Sequence, residues 1–354
     1  MKALCVSALL FVIFNIQCSA LDLSAKSAIL YEPETKTILF EKNAYEKRAI
    51  ASTTKIMTAV VVLENAKPDE IVEVSKNNVG IEGTSIYLED GERLSVLELL
   101  YGMLLQSGND AATALAEYVG LKAKNEFVCL MNEKAEELGM KNTSFENPSG
   151  LPAEGHFSTA YDMALLTSYA MRNLSFAEIV RTKSYSSDKR TFINHNKLLR
   201  LYEGATGVKT GYTKAAGRCL VSSAERDGMT LIAVTLSAPD DWEDHRKLFD
   251  FGFSNYSINK FDEDSLHVLV AGGESDFIKI KTVRNVSVLA NKENSFSTEI
   301  FLPRFVYAPI KEGDIVGEIR YIIDGEIVER DFVVSVDDVA YKVRNNMFKR
   351  LFMH

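Results

Sequence analysis

The run Thr53-Thr54-Lys55-Ile56-Met57-Thr58-Ala59-Val60-Val61-Val62-Leu63-Glu64-Asn65 is apolar nearly all the way round when wound as a helix. Such a helix has no face to offer solvent, so it must lie inside a domain large enough to surround it. The chain can supply one. Its 354 residues are 46% hydrophobic and 25% charged, which is globular usage and excludes a disordered, collagen-like or polytopic membrane protein. At about 150 residues per domain, that length favours two domains.

The segments around the buried helix predict its setting. Residues 28–31 and 37–41 read as strands on either side of the turn Glu32-Pro33-Glu34. Helical periodicity follows over 96–105, 111–118 and 126–138, the last closed by Gly139. Strand signals return at 207–212, 218–223 and 230–236, the last two joined across Asp227-Gly228, and a helix is expected from about 241 to 251. This order predicts an α+β domain over 21–256, an antiparallel sheet carrying helices. After Tyr256 the texture changes to short β-rich stretches at 267–270, 277–281, 286–289, 298–302, 315–323 and 327–334, with Asp324-Gly325 marking a hairpin. They predict a small all-β sandwich domain over 257–336.

Both ends carry addresses. Lys2, the apolar run 3–14 and the exit Cys18-Ser19-Ala20 have the layout of a secretory signal peptide over 1–20. Asn15 and Gln17 interrupt the run short of the ~20 apolar residues a membrane span needs. Removing it takes away Cys5 and Cys18, and the remaining Cys129 and Cys219 read as buried small apolar residues rather than a disulfide framework. With 40 Lys+Arg against 49 Asp+Glu the net charge is −9, so nucleic acid finds no electrostatic support. Residues 339–354 are the exception, with Lys342, Arg344, Lys349 and Arg350 and no acid. Val343, Met347 and Leu351 recur there at four-residue steps, which predicts an amphipathic helix over 337–354 lying on a membrane surface, with Arg344 snorkelling.

The chemistry narrows by elimination. Of the histidines at 156, 195, 245, 267 and 354, no two lie three to five apart, and neither a G-x-S-x-G elbow nor a glycine-rich phosphate loop occurs. No metal or cofactor is expected. What remains is Ser52-Thr53-Thr54-Lys55, Ser107-Gly108-Asn109 and Lys209-Thr210-Gly211, in that order. S-x-x-K by itself is common, and it recurs at 186–189 and 257–260. Context separates them. Ser52 stands at the mouth of the buried helix with Lys55 one turn along, where desolvation disfavours the ammonium and a neutral amine can take the proton of the serine. Lys189 and Lys260 lie in polar surroundings. Ser107-Gly108-Asn109 falls in a loop between two helices, where a serine can relay a proton and an asparagine amide can hold a substrate amide. On a strand, Lys209 and Gly211 share a face, and the glycine admits a substrate backbone closely. Taken singly, these motifs also read as a helix N-cap, a turn and an edge strand.

In this order the three motifs resemble the signature of penicillin-binding proteins and serine β-lactamases. With Ser-Gly-Asn in the middle, the chain is similar to the low-molecular-mass serine D-alanyl-D-alanine carboxypeptidases. The resemblance extends through Asn147-Pro148-Ser149-Gly150-Leu151, His156 to Asp162, Asn194 to Leu199, Gly211 to Gly217, and Ala308-Pro309, Gly313, Gly317 and Asp324-Gly325 in the β region. It implies a β-lactamase/transpeptidase-like catalytic domain followed by a β-sandwich. It also implies acyl transfer: Ser52 as nucleophile, Lys55 as general base, Ser107 as proton relay and Asn109 on the substrate amide. Lys209 and Thr210 would attract the terminal carboxylate beside Gly211, and the backbone N–H groups of Ser52 and Tyr212 would form the oxyanion hole. The implied partners are peptidoglycan stem peptides ending in D-Ala-D-Ala, β-lactam antibiotics that acylate Ser52, and the outer face of the cytoplasmic membrane. A β-lactamase and a non-catalytic peptidoglycan- or penicillin-binding protein are the alternatives. Two positions depart from many relatives: Tyr212 replaces a histidine, and Pro239-Asp240-Asp241-Trp242 replaces a segment with an arginine, so either Arg246 or Lys209 answers the carboxylate or the stem-peptide preference differs. His156 and His195 read as structural.

Overall fold

Ile29 lies directly opposite Val234 in the computed structural model, so the two ends of the catalytic domain meet in one sheet. The structure describes residues 21–261, 266–284 and 286–342. The expected signal peptide therefore lies outside the described residues. The opening hairpin, Ser27–Glu32 and Thr37–Lys42, adds Met229–Leu236, then Gly217–Arg226, and ends on Ala205–Thr213, giving a five-stranded sheet antiparallel throughout. Alternate side chains serve two cores. Ile29, Tyr31, Val221, Ile232 and Val234 face the helical layer, whereas Leu30, Leu220, Leu231 and Ala233 pack on Leu248, Phe249 and Phe253 of the closing helix Asp241–Asn255. With both faces covered, Ser27–Glu32 is buried along its whole length, which is why its middle, Ala28 to Tyr31, is apolar without alternation.

The helix expected from 53 begins its α-helical part at Lys55, behind a 3-10 turn Ala51–Thr54. Lys55 through Val62 are all buried. Val96–Leu105, Asn109–Ala123, Phe127–Glu137, Ala160–Ala170 and Leu174–Arg181 contact this helix, as its lack of a polar face requires. The sequence did not predict the last two. Yet Thr159 caps Ala160–Ala170 by accepting from the Asp162 N–H at 3.0 Å. One expectation is corrected here: Cys129 is exposed on the solvent side of Phe127–Glu137, whose buried face is Phe127, Met131 and Ala135, and both Cys129 and Cys219 are free.

The β region forms a six-stranded sheet in the order Phe296–Phe301, Ile315–Ile323, Glu326–Ser335, Phe277–Thr282, His267–Ala271, Phe305–Tyr307. A two-stranded sheet, Tyr256–Lys260 with Ser287–Asn291, covers a shared core that includes Val268, Ile278, Val288, Ile319, Tyr321 and Val333. Tyr256–Lys260 follows the closing helix without a linker, so pairing starts one residue before the expected boundary. At the other end the expectation of a helix from 337 is corrected. Val339 bridges Ile310, Tyr341 bridges Gly273, and the Lys342 N–H donates to Gly272 O at 2.9 Å, so this stretch is extended chain laid on the sandwich. Residues 343–354, with the rest of the expected amphipathic helix, lie outside the described residues.

One close approach locks the loop beyond the helices to the 3-10 turn. Gly150 has φ +84°, and a Cβ placed on it would lie 1.9 Å from Ala51 O. Gly150→Ala is therefore expected to lower stability by about 3 kcal/mol, from left-handed strain and displacement of the loop. Urea unfolding measures it, and a loss under about 1 kcal/mol would mean that the loop yields freely.

Candidate active site

Lys55 has no exposed surface, yet its amine has three partners. Nζ donates to Ser149 O at 2.6 Å, to Asn109 Oδ1 at 2.7 Å and to Ser52 Oγ at 3.1 Å. Three acceptors satisfy an ammonium. A neutral amine keeps its two N–H bonds on the nearer pair and turns its lone pair to the Ser52 hydroxyl. Burial pushes Lys55 well below the usual lysine range, the Lys209 charge pushes it further, and Asp110 opposes both. The expected rivals are unlike it: Lys189 is largely exposed beside Glu92, and Lys260 is paired at 2.8 Å with Glu34.

Each partner comes from a different element. Ser52 sits in the 3-10 turn, preceded by Ala51 at φ +47°. Ser107 occupies the bend between Val96–Leu105 and Asn109–Ala123 at φ +65°, and left-handed residues of this kind cost about 1–3 kcal/mol each. Asn109 opens the next helix and is nearly buried. Its oxygen is taken by Lys55 and its Nδ2 donates to Glu82 O at 2.6 Å. Asp110, which sequence reasoning passed over, accepts from the N–H groups of Ile86, Leu88 and Ala111 and from Ser85 Oγ, and so pins the segment that carries Thr84. Asn109 N–H in turn donates to Thr84 O at 2.7 Å.

The strand Ala205–Thr213 forms the opposite wall, at the free edge of the sheet. Lys209 points inward, fully buried, and donates to Ser107 Oγ at 3.1 Å and Thr210 O at 2.8 Å; burial pulls it down to about 7. Gly211 shares that inward face, and a Cβ there would stand 3.0 Å from the Ser52 nitrogen. Tyr212 is largely exposed. Ser52, Ser107, Thr210, Gly211 and Tyr212 line one cleft with Thr84, His195, Arg218, Asp241 and Trp242. These last five were missing from the expected site. Arg218 enters because it faces Tyr212 across the strand pair, a neighbour that no local spacing encodes.

The two histidines in family-like stretches differ. His156 is buried, its Nδ1 accepting from the Glu146 N–H at 3.1 Å and its Nε2 within 2.8 Å of Thr54 Oγ1. Because Thr54 Oγ1 already donates to Ala51 O, Nε2 is the donor of that pair, and burial holds the ring neutral with a value lowered to about 4. It braces the turn that carries Ser52. His195 stands in the cleft wall.

A serine hydroxyl resting on a water-excluded lysine amine, with a second serine on a second buried lysine, defines a serine–lysine acyl-transfer site. Comparison with known proteins agrees. Residues 15–240 match the family described as D-alanyl-D-alanine carboxypeptidase, and residues 253–341 match the C-terminal domain of penicillin-binding protein 5. The D-alanyl-D-alanine carboxypeptidase DacF of Bacillus subtilis is 38% identical over 91% of this chain and 87% of its own. The D-alanyl-D-alanine carboxypeptidase DacC of Escherichia coli is 34% identical over 90% of this chain and 85% of its own. The solved penicillin-binding protein 5 of Haemophilus influenzae superposes with a TM-score of 0.71 at 27% identity, over 90% of this chain and 98% of its own. The chain belongs to the D-alanyl-D-alanine carboxypeptidase family and is an enzyme of that activity.

The coupling between the two lysines has a signed consequence. The Lys209 charge lowers Lys55, so Lys209→Met is expected to let Lys55 rise and to move the acid limb of the pH–acylation profile to higher pH, besides lowering the rate. Stopped-flow acylation of Ser52 by a β-lactam measures it. An acid limb that stays in place or moves to lower pH would contradict the coupling.

Proposed function

We propose that the enzyme removes the terminal D-alanine from peptidoglycan stem peptides through an ester on Ser52. The observation that carries this reading is the triple engagement of the Lys55 amine, which leaves a neutral lysine one free direction, toward Ser52 Oγ. Ser52 Oγ attacks the carbonyl of the penultimate D-alanine as its proton passes to Lys55 Nζ. The carbonyl oxygen becomes an anion between the backbone N–H groups of Ser52 and Tyr212. The C–N bond then breaks, and the leaving amine takes a proton from Ser107, which is resupplied with the proton that Lys55 took from Ser52, so that Lys55 is a neutral amine again. Asn109 offers its remaining amide hydrogen to the substrate, and Gly211 lets the substrate backbone lie against the strand edge. Water, deprotonated by Lys55, opens the ester and restores Ser52.

A β-lactam presents a strained amide to the same serine and leaves an ester. Asp241 is the carboxylate among the described cleft-lining residues, and it is held by Arg218 and the Trp242 N–H rather than poised over water near Ser52. This favours a persistent penicilloyl enzyme over a β-lactamase. For its setting, we propose export by residues 1–20 and a seat on the outer face of the cytoplasmic membrane through residues 343–354, with a role in wall trimming and cell shape. Among the described residues no helix is long and apolar enough to cross a membrane. The proposed attachment is peripheral because its basic, apolar-faced segment is too short to span.

Protein lacking residues 1–20 is expected to release free D-alanine from diacetyl-Lys-D-Ala-D-Ala, and Ser52→Ala to lower that release by a factor on the order of 10³ or more with an unchanged melting temperature. Release that survives the substitution would rule Ser52 out. Failure of the parent protein to release D-alanine would refute the peptide substrate.

A further inference from the structure

A substrate that ends in a carboxylate needs a cation at the mouth of the cleft, and the obvious cations are committed. Lys55 is engaged on three sides. Lys209 is fully buried behind Ser107, to whose Oγ it donates, and burial pulls it well down from the usual lysine range. Arg246, one of the two groups expected to compensate, donates instead to Glu243 and Asp250 on its own helix and does not line the cleft.

We propose that Arg218 receives the terminal carboxylate of the substrate, aimed by Asp241 and backed by Trp242. The inference rests on the carboxypeptidase reading above and names a specificity-determining residue within it. Arg218 lies opposite Tyr212 in the strand pair, and the two line one cleft with Ser52 and Thr210. Its Nε donates to Asp241 Oδ1 at 3.0 Å, and its Nη2 lies 2.8 Å from the same oxygen in an ion pair. Its Nη1 has no hydrogen-bond or ion-pair partner among the described residues, and the side chain is 43% exposed. One edge of the planar fork is thus fixed and the other is open, the form that grips a carboxylate by two parallel bonds. A guanidinium keeps its charge at any pH the enzyme meets, which a buried lysine does not.

Asp241 changes meaning in this setting. Asp240-Asp241 in the sequence predicts repulsion of a carboxylate. In the fold Asp241 is buried, accepts from Arg218 and from the Trp242 N–H at 3.0 Å, and sits in the first turn of the closing helix. It is a positioning residue, and the Trp242 ring lies 5.9 Å from the guanidinium carbon on another side. The acid and the arginine therefore travel as a unit.

The test compares two peptides, acyl-D-Ala-D-Ala and the same peptide ending in a carboxamide, cleaved by the parent enzyme and by Arg218→Gln, Arg218→Lys, Asp241→Asn and, as a control, Arg246→Gln. Arg218→Gln is expected to lower kcat/KM for the acid roughly 10- to 100-fold while leaving the amide within about threefold, so that preference for the acid collapses. Arg218→Lys should restore part of that preference, Asp241→Asn should weaken it, and Arg246→Gln should leave it unchanged. Equal losses on both peptides, or an unchanged preference, would overturn the assignment. Should the parent cleave neither peptide, the carboxypeptidase reading fails by itself. Arg218 is then judged by Ser52 labelling with benzylpenicillin against its methyl ester, where the same collapse of preference supports the assignment and its absence refutes it. Absence of labelling altogether would refute both.

Discussion

An amine with no contact with water is the constraint on which the catalytic domain depends. Burying an ammonium costs on the order of several kcal/mol, and a lone Lys55 at the start of a buried apolar helix would not be tolerated. Three acceptors offset that cost, and each requires a separate piece of chain to arrive at the same point. Ser52 arrives on the 3-10 turn, Asn109 at the start of a helix, and Ser149 O on a loop whose shape is set by Asn147 Oδ1, which accepts from the N–H groups of Ser149, Gly150 and Leu151. His156 and Gly150 hold the turn and the loop together. Strain at Ala51 and Ser107 is what remains after these demands are met.

How much of this could be read from the residues depends on whether the cause is local. The Ser52–Lys55 pair was legible because three residues of helix put both side chains on one face, and the apolar run behind them announces burial. Lys209 and Gly211 were legible because a strand alternates. Arg218 was not, because its relevance arises only once Gly217–Arg226 pairs with Ala205–Thr213 in one register. The role of Ser149 was equally hidden, since it acts through a backbone oxygen that any residue type carries. Cys129 was misplaced because cysteine composition speaks for burial while the helix wheel around it does not. Residues 337–342 were drawn into the expected helix by the apolar spacing at Val343, Met347 and Leu351, whereas the sandwich recruits them as extended chain through bridges to Gly273 and Ile310.

The family assignment and the geometry explain one another at the cleft. Relatives that share this fold over nine-tenths of the chain supply the activity, and the local geometry fits the proposed steps: a buried amine against Ser52, Ser107 on a second buried lysine, and a guanidinium held by Asp241 past the strand edge. The second buried lysine works on the first through space, so the two cannot be assigned independent ionisations.

The pairing of Ile29 with Val234 bears on the order in which the protein can come into being. Residues leave the ribosome from the N-terminus, at roughly 5–20 per second. The strand Ser27–Glu32 is among the first to appear, and one of its two neighbours is among the last of the domain. Until Met229–Leu236 follows, the sheet lacks its middle, the strand bearing Lys209 has no platform, and Ala160–Ala170, which packs between Met229–Leu236 and the apolar helix behind Ser52, has no sheet beneath it. The Ser52–Lys55 pair is therefore assembled at the close of the domain's synthesis rather than along the way, and a chain cut short before residue 229 carries every serine and lysine up to that point without an organised centre among them.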